Sequence, residues 1–197
     1  MFSAYKRKVC EFQPELLAMS VTEDMFPIGI SLLKHTLHLK IPTILGGVFT
    51  TFAPEIALSY PGVDMVCVGE GENAIVDLAD RLARGEDYSD VTNLWVRKKN
   101  GIVKKNPITK PVDINQLPTT TDIGIFSEKR FYRPMGGKIR RLLPVETHRG
   151  CPYACSFCNS PSQNRLYAGQ GNFFRKKSMN LVKKEIEDQL KNWKVEY

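Results

Sequence analysis

Thr43-Ile44-Leu45-Gly46-Gly47 and Val63-Asp64-Met65-Val66-Cys67-Val68-Gly69-Glu70-Gly71 each run a short apolar, β-branched stretch straight into glycine. Short apolar runs bounded by turn residues suit strands buried on both faces, as in a parallel sheet. A third run, Leu16-Leu17-Ala18-Met19-Ser20-Val21, follows a turn signal at Pro14. Helical patterns lie between and after these runs. In 27–40 the apolar positions Ile28, Leu32, Leu33, Leu37 and Leu39 repeat at near-helical spacing before Pro42, while 54–60 is opened by proline. In 73–84, Ala74, Ile75, Leu78, Ala79 and Leu82 share one face, and Gly85 closes the helix. Strand and helix alternating through short turns predict an α/β fold, an incomplete doubly wound parallel sheet. Such sheets bind ligands at the carboxyl ends of their strands, where Gly46, Gly47, Gly69 and Gly71 fall. Neither GxGxxG nor GxxxxGK[ST] occurs, so dinucleotide and P-loop nucleotide sites have no motif behind them.

Composition narrows the class. With 42% hydrophobic and 25% charged residues the chain has ordinary globular usage, and its apolar runs fall far short of the roughly 20 residues of a membrane span. A net charge of +7 raises the question of nucleic acid, but the basic residues are dispersed or lie in short clusters such as Arg97-Lys98-Lys99 and Arg140-Arg141, which read as solvated surface. Five cysteines is an odd number and no hydrophobic leader precedes them, which argues against a disulfide framework and predicts a cytoplasmic protein.

After residue 88 the pattern changes. Asn100-Gly101 between Leu94-Trp95-Val96 and Ile102-Val103 is a two-residue hairpin signal. Pro107, Pro111, Pro118 and Pro134, with Thr119-Thr120-Thr121, mark an extended linker. The expected organisation is a partial α/β domain over 1–88, a hairpin and linker over 89–141, and the start of a further domain over 142–197, with a first strand at 142–147. Beyond it, Ser178 suits a helix N-cap, and Leu181, Val182, Ile186 and Leu190 form the stripe expected to be buried.

In that third segment, His148-Arg149-Gly150-Cys151-Pro152-Tyr153-Ala154-Cys155-Ser156-Phe157-Cys158 places three cysteines on one loop at CxxxCxxC spacing. Closed structural metal sites take four protein ligands, so three thiolates leave one metal position open to a cofactor or substrate. A zinc site completed by His148, Cys10 or Cys67 is the competing reading, although no second CxxC and no HxxxH is present.

With Arg149-Gly150 before the first cysteine and Phe157 before the third, the loop resembles the cluster loop of the radical S-adenosylmethionine (SAM) superfamily. The resemblance implies that Cys151, Cys155 and Cys158 each bind one iron of a 4Fe-4S cluster, with SAM chelating the fourth iron and Phe157 lying against its adenine. It implies reductive cleavage of SAM to methionine and a 5'-deoxyadenosyl radical acting on a further substrate, with electrons from a donor such as flavodoxin or ferredoxin. Arg175, Ser178 and Glu185 match the family's approach to its first (β/α) barrel helix. Pro14-Glu15-Leu16, Ser20-Val21-Thr22, Leu45-Gly46-Gly47 with Pro54-Glu55, and Val68-Gly69-Glu70-Gly71-Glu72 resemble the Rossmann-like cobalamin-binding domain that precedes the barrel in one branch. There Ser20, Thr22, Gly46, Gly47, Gly69 and Gly71 would contact cobalamin. The DxHxxG element that supplies a histidine to cobalt in other cobalamin folds is absent, and neither His35 nor His38 is assigned to the metal.

A full barrel takes about 250 residues, whereas only 159–197 follow the last cysteine. The expectation is a fragment of a larger cobalamin-dependent radical SAM enzyme, truncated at both ends, of unknown substrate and engaged in methyl transfer, methylthio transfer or another radical reaction. The alternative is a non-catalytic corrinoid- or zinc-binding module.

Overall fold

A computed structural model of the chain describes residues 1–119, 124 and 126–194, arranged as two compact units, Met1–Val112 and Asp113–Tyr197. The first is built on a five-stranded sheet in the order β1 (Leu17–Ser20), β2 (Thr43–Gly46), β3 (Met65–Cys67), β4 (Leu94–Arg97), β5 (Val103–Lys105). The first three strands are parallel, with Leu17 opposite Thr43 and Ile44 opposite Met65. The hairpin strands β4 and β5 then run antiparallel, Met65 facing Val96 and Trp95 facing Lys105. The sheet is therefore mixed, where a parallel one was expected, because Asn100-Gly101 turns the chain straight back into the sheet, Lys98 N–H reaching the Ile102 carbonyl at 2.8 Å.

Residue alternation along these strands feeds two cores. Leu45, Val66 and Val68 pack with Phe26, Ile30 and Leu33 of α2 (Phe26–Lys34) and with Ala57 and Leu58 of α4 (Pro54–Ser59). Ile44, Met65 and Cys67 pack with Ala74 and Leu78 of α5 (Glu72–Arg84) on the opposite face. Both faces being covered explains why β2 and β3 read as continuous apolar runs. In α2 the buried positions are Phe26, Gly29, Ile30 and Leu33, while Ile28 and Leu37 of the expected stripe are exposed. The helix stops at Lys34, and Leu37–Leu39 forms a separate 3-10 turn. Two helices lie outside the expected elements: α1 (Phe2–Phe12), whose buried side chain is Val9, and the five-residue α3 (Val48–Phe52). Schellman-type bonds end α5, Gly85 N–H to Leu82 and Glu86 N–H to Arg81.

The second unit holds the exposed hairpin β6 (Tyr132–Met135) and β7 (Lys138–Arg141), the two-residue pair β8 (His148–Arg149) and β9 (Arg175–Lys176), α6 (Ser160–Leu166) and α7 (Met179–Asn192). The strand expected at 142–147 does not form; the segment joins two ladders, bonded to neighbouring backbone at its ends by Leu142 N–H to the Phe131 carbonyl and Lys177 N–H to the Thr147 carbonyl. The expected stripe on α7 is likewise corrected: Ile186 and Leu190 are exposed, Leu181 and Val182 half-buried, and the buried residue is Glu185. Ser178 caps α7 as expected, its hydroxyl accepting from Leu181 N–H at 3.3 Å. Thr120 and Thr121 of the linker, and 195–197, lie outside the described residues. No described helix is long and apolar enough to cross a membrane.

Candidate functional site

At the carboxyl ends of β1, β2 and β3 the turns of the first unit are drawn into one crevice. Val21 N–H donates to the Gly46 carbonyl at 2.8 Å, and Phe49 N–H to the Val21 carbonyl at 3.3 Å. Gly47, at φ +100°, passes so close beneath the first turn that a Cβ there would stand 2.6 Å from the Val21 carbonyl oxygen and 3.0 Å from Ser20 Oγ. Only glycine tolerates that approach. The neighbouring threonines stitch the second turn to the third. Thr51 Oγ1 donates to the Gly47 carbonyl at 2.9 Å and accepts from Gly69 N–H at 3.1 Å, while buried Thr50 donates to the Cys67 carbonyl.

The third turn is anchored from its far side by Asn93, buried and left-handed at φ 66°. Its amide donates to the Glu70 carbonyl at 2.9 Å, and its Oδ1 accepts from Thr109 N–H and Thr109 Oγ1, both at 2.9 Å. The Glu70 carboxylate in turn accepts from Val112 N–H at 2.8 Å. Segment 106–112 is thus sewn to the sheet.

The resulting cavity, about 550 Å³, is lined by Ser20, Gly46, Gly47, Cys67, Gly69 and Gly71 among others. Five of the six expected cobalamin contacts meet there. Thr22 does not; it is exposed, and its carbonyl accepts the Phe26 N–H that opens α2. Thr50, Thr51 and Asn93 were missed because single hydroxyl and amide residues beside turns have no periodicity; Thr50-Thr51 just after the glycine pair was the available signal.

Cys67 closes the floor. Its thiol is pushed up to about 12, by burial first and by the Glu72 charge second, so it stays neutral at physiological pH. The cavity fits a large organic ligand that approaches backbone, and its lining offers no histidine to a metal. His35 is committed elsewhere, its Nδ1 donating to the Ser31 carbonyl at 2.8 Å and its ring stacked 4.9 Å from Phe2.

In the second unit the cysteine loop leaves β8 through Gly150, at φ +83°. A Cβ there would lie 2.4 Å from the Phe173 carbonyl oxygen, so glycine again permits a backbone crossing. Cys151 is half-buried, and Cys155 and Cys158 are exposed. Cys158 N–H closes a turn on the Cys155 carbonyl at 3.2 Å, and Ser160 N–H points at Cys158 Sγ from 3.4 Å. Among the described residues no three His, Cys, Asp or Glu side chains are gathered tightly enough to hold a metal ion. The loop supplies three soft donors on one strand of chain, the donor chemistry of an iron-sulfur cluster, and a backbone N–H already aimed at one sulfur. Phe157 stands 92% exposed beside them.

Charged residues brace the base of this loop. The Arg149 guanidinium grips Glu146 through Nε at 3.1 Å and Nη2 at 3.3 Å. Lys177, just before the α7 cap, donates to Glu185 at 2.7 Å, with both side chains only 8% exposed. Arg175 pairs across the ladder with Arg149, its Nε donating to the Phe173 carbonyl at 3.2 Å.

The first unit is therefore an α/β domain with a glycine-lined crevice at its strand ends, and the second presents a three-cysteine loop. Residues 6–79 match the family model of the B12 binding domain. The chain is 27% identical over 168 residues to an uncharacterized methyltransferase of Pyrococcus horikoshii, covering 82% of this chain and 35% of that protein. It is 28% identical over 152 residues to the cobalamin-dependent radical SAM methyltransferase TokK of Streptomyces tokunonensis, covering 75% of this chain and 22% of TokK. In fold it superposes on the cobalamin-dependent SAM radical enzyme OxsB with a TM-score of 0.73 at 22% identity, over 97% of this chain and 25% of OxsB. Residues 6–79 are thus similar to B12 binding domains, the chain as a whole is similar in part to cobalamin-dependent radical SAM enzymes, and it spans about a third or less of the length of these relatives.

Proposed function

We propose that the chain is part of a cobalamin-dependent radical SAM enzyme: the crevice of the first unit holds the corrinoid, and Cys151, Cys155 and Cys158 hold a 4Fe-4S cluster whose open iron takes SAM. What carries this reading is the occurrence in one chain of a glycine-lined crevice within the matched B12 binding domain and a three-thiol loop. Gly46, Gly47, Gly69 and Gly71 let the corrinoid or its nucleotide tail reach backbone, Ser20 offers it a hydroxyl, and exposed Thr22 stands at the start of α2. Phe157, free on the loop, supplies a flat apolar surface for adenine. Arg149, Glu146, Lys177 and Glu185 fix the base of the loop. When bound, the cluster and SAM supply the reductive radical chemistry and the corrinoid a methyl-carrying centre. The reaction class is methyl transfer, methylthio transfer or a related radical reaction on a further substrate, with electrons from a small donor such as flavodoxin or ferredoxin. Five free thiols suit a reducing, cytoplasmic setting.

The test is electron paramagnetic resonance on the chain reconstituted anaerobically with iron and sulfide and then reduced, with and without SAM. A cluster signal that changes with SAM and disappears in Cys155→Ala supports the reading. Stoichiometric zinc in place of iron overturns it in favour of a metal-binding module.

A further inference from the structure

A second cavity, of about 500 Å³, opens at the opposite edge of the first unit's sheet, where β1, β2 and β3 begin. Its apolar side comes from Leu33, Leu37 and Ile41, and four cations, Lys40, Arg97, Lys98 and Lys99, also line it. They arrive from two separate parts of the chain, the turn before β2 and the tip of the β4–β5 hairpin. None of the four makes an ion pair among the described residues. Lys105 on the same hairpin, by contrast, is neutralised by Glu55 at 2.9 Å and lies over the Trp95 ring at 4.1 Å. Asp64 is the carboxylate in the lining, and one of its oxygens is occupied by Thr43 N–H at 2.9 Å.

Like charges gathered around one cavity create a positive potential that favours an anion there. Lys40, Lys98 and Lys99 are exposed and Arg97 is half-buried, and together they border a concavity with an apolar wall. Such a pairing of charge and hydrocarbon selects a ligand that has both.

We propose that this edge of the sheet is a binding site for a small organic anion, a carboxylate or phosphate ester carried on an apolar or aromatic body. The body lies against Leu37 and Ile41, and the anionic head sits among Lys40, Arg97, Lys98 and Lys99. The site is distinct from the glycine crevice and does not depend on the corrinoid reading.

Four probes test it on the full 197-residue chain, followed by heteronuclear NMR: phenyl phosphate, benzoate, inorganic phosphate and benzyl alcohol. Saturable shifts at 40–41 and 97–99 with phenyl phosphate or benzoate are expected, and the tighter of the two identifies the head group. Inorganic phosphate and benzyl alcohol, each lacking half of the recognition, should bind at least about fivefold more weakly. The double variant Lys98→Gln/Lys99→Gln should weaken the better probe about tenfold, and salt near 0.5 M should weaken it further. Lys40→Gln repeats the test away from the hairpin should the double variant misfold. Equal binding of benzyl alcohol, affinity indifferent to either variant, or shifts confined to other surfaces would overturn the proposal.

Discussion

Two residues at the crevice, Gly47 and Cys67, bear on stability by different routes, and each is open to a direct test. Gly47 is fixed by a positive φ and by backbone against which a Cβ would collide. Gly47→Ala should therefore cost about 1–3 kcal/mol in urea unfolding and abolish hydroxocobalamin binding followed by absorbance. Full stability with unchanged corrinoid affinity would sink the close-approach argument. Cys67 acts through its proton. Its folded pKa, about 12, lies above the ordinary thiol value of 9.0. Below pH 9 both states keep the proton and the shift changes nothing. Between about pH 9 and 12 the unfolded chain ionises and the native one does not, so stability falls by up to about 1.4 kcal/mol per pH unit. The difference in alkaline unfolding between the native chain and Cys67→Ala isolates this slope, which should vanish in the variant.

At the scale of elements, what was legible in the sequence depended on whether neighbouring chain imposed periodicity. Helix α5 and strands β2 and β3 were readable because each is covered on a defined face: Ala74 and Leu78 recur at i, i+4, and Leu45 and Ile44 look into opposite cores. The carboxyl-end crevice followed from those strand ends and their glycines. Segment 142–147 does not become a strand because an apolar run does so only when a partner ladder accepts its backbone groups, and this segment lies between two ladders, one ending at Arg141 and the next beginning at His148. The α7 stripe failed for a related reason: spacing marks which residues share a face, but a side chain of the same unit must cover that face. Here the buried position is taken by an ion pair. Glu185→Ala, which takes the nearer of two carboxylates from the buried Lys177 ammonium and leaves it Glu146 at 3.9 Å, should cost about 3 kcal/mol, whereas Leu190→Ala should cost under about 1 kcal/mol. Thermal unfolding of both variants decides this, and comparable losses would mean that the stripe is packed after all. Asn93→Ala probes the other tether. It removes three hydrogen bonds, one to the half-buried Glu70 carbonyl and two from Thr109, so a loss of about 1–3 kcal/mol is expected. It should also weaken the corrinoid, because the Gly69–Gly71 turn loses its rear anchor.

For the whole molecule, each candidate cofactor site draws all its named residues from a single compact unit. The crevice uses residues between Ala18 and Val112, and the cysteine loop uses residues between Glu146 and Glu185. Binding at one site therefore requires no side chain of the other, even if catalysis requires both. The consequence is a crossed pattern of loss. A triple Cys151→Ala/Cys155→Ala/Cys158→Ala variant should lose its iron and sulfide after anaerobic reconstitution yet titrate hydroxocobalamin with unchanged affinity. Gly47→Ala should lose the corrinoid yet keep its iron. The same logic extends to metal removal: a chelator that strips the cluster should leave corrinoid absorbance in place. If instead removing the thiolates also abolished corrinoid binding, the first unit would owe the shape of its crevice to the second, and the hydrogen bonds of the Thr51 hydroxyl to Gly47 and Gly69 and of the Asn93 side chain to Glu70 and Thr109 would not suffice to hold it.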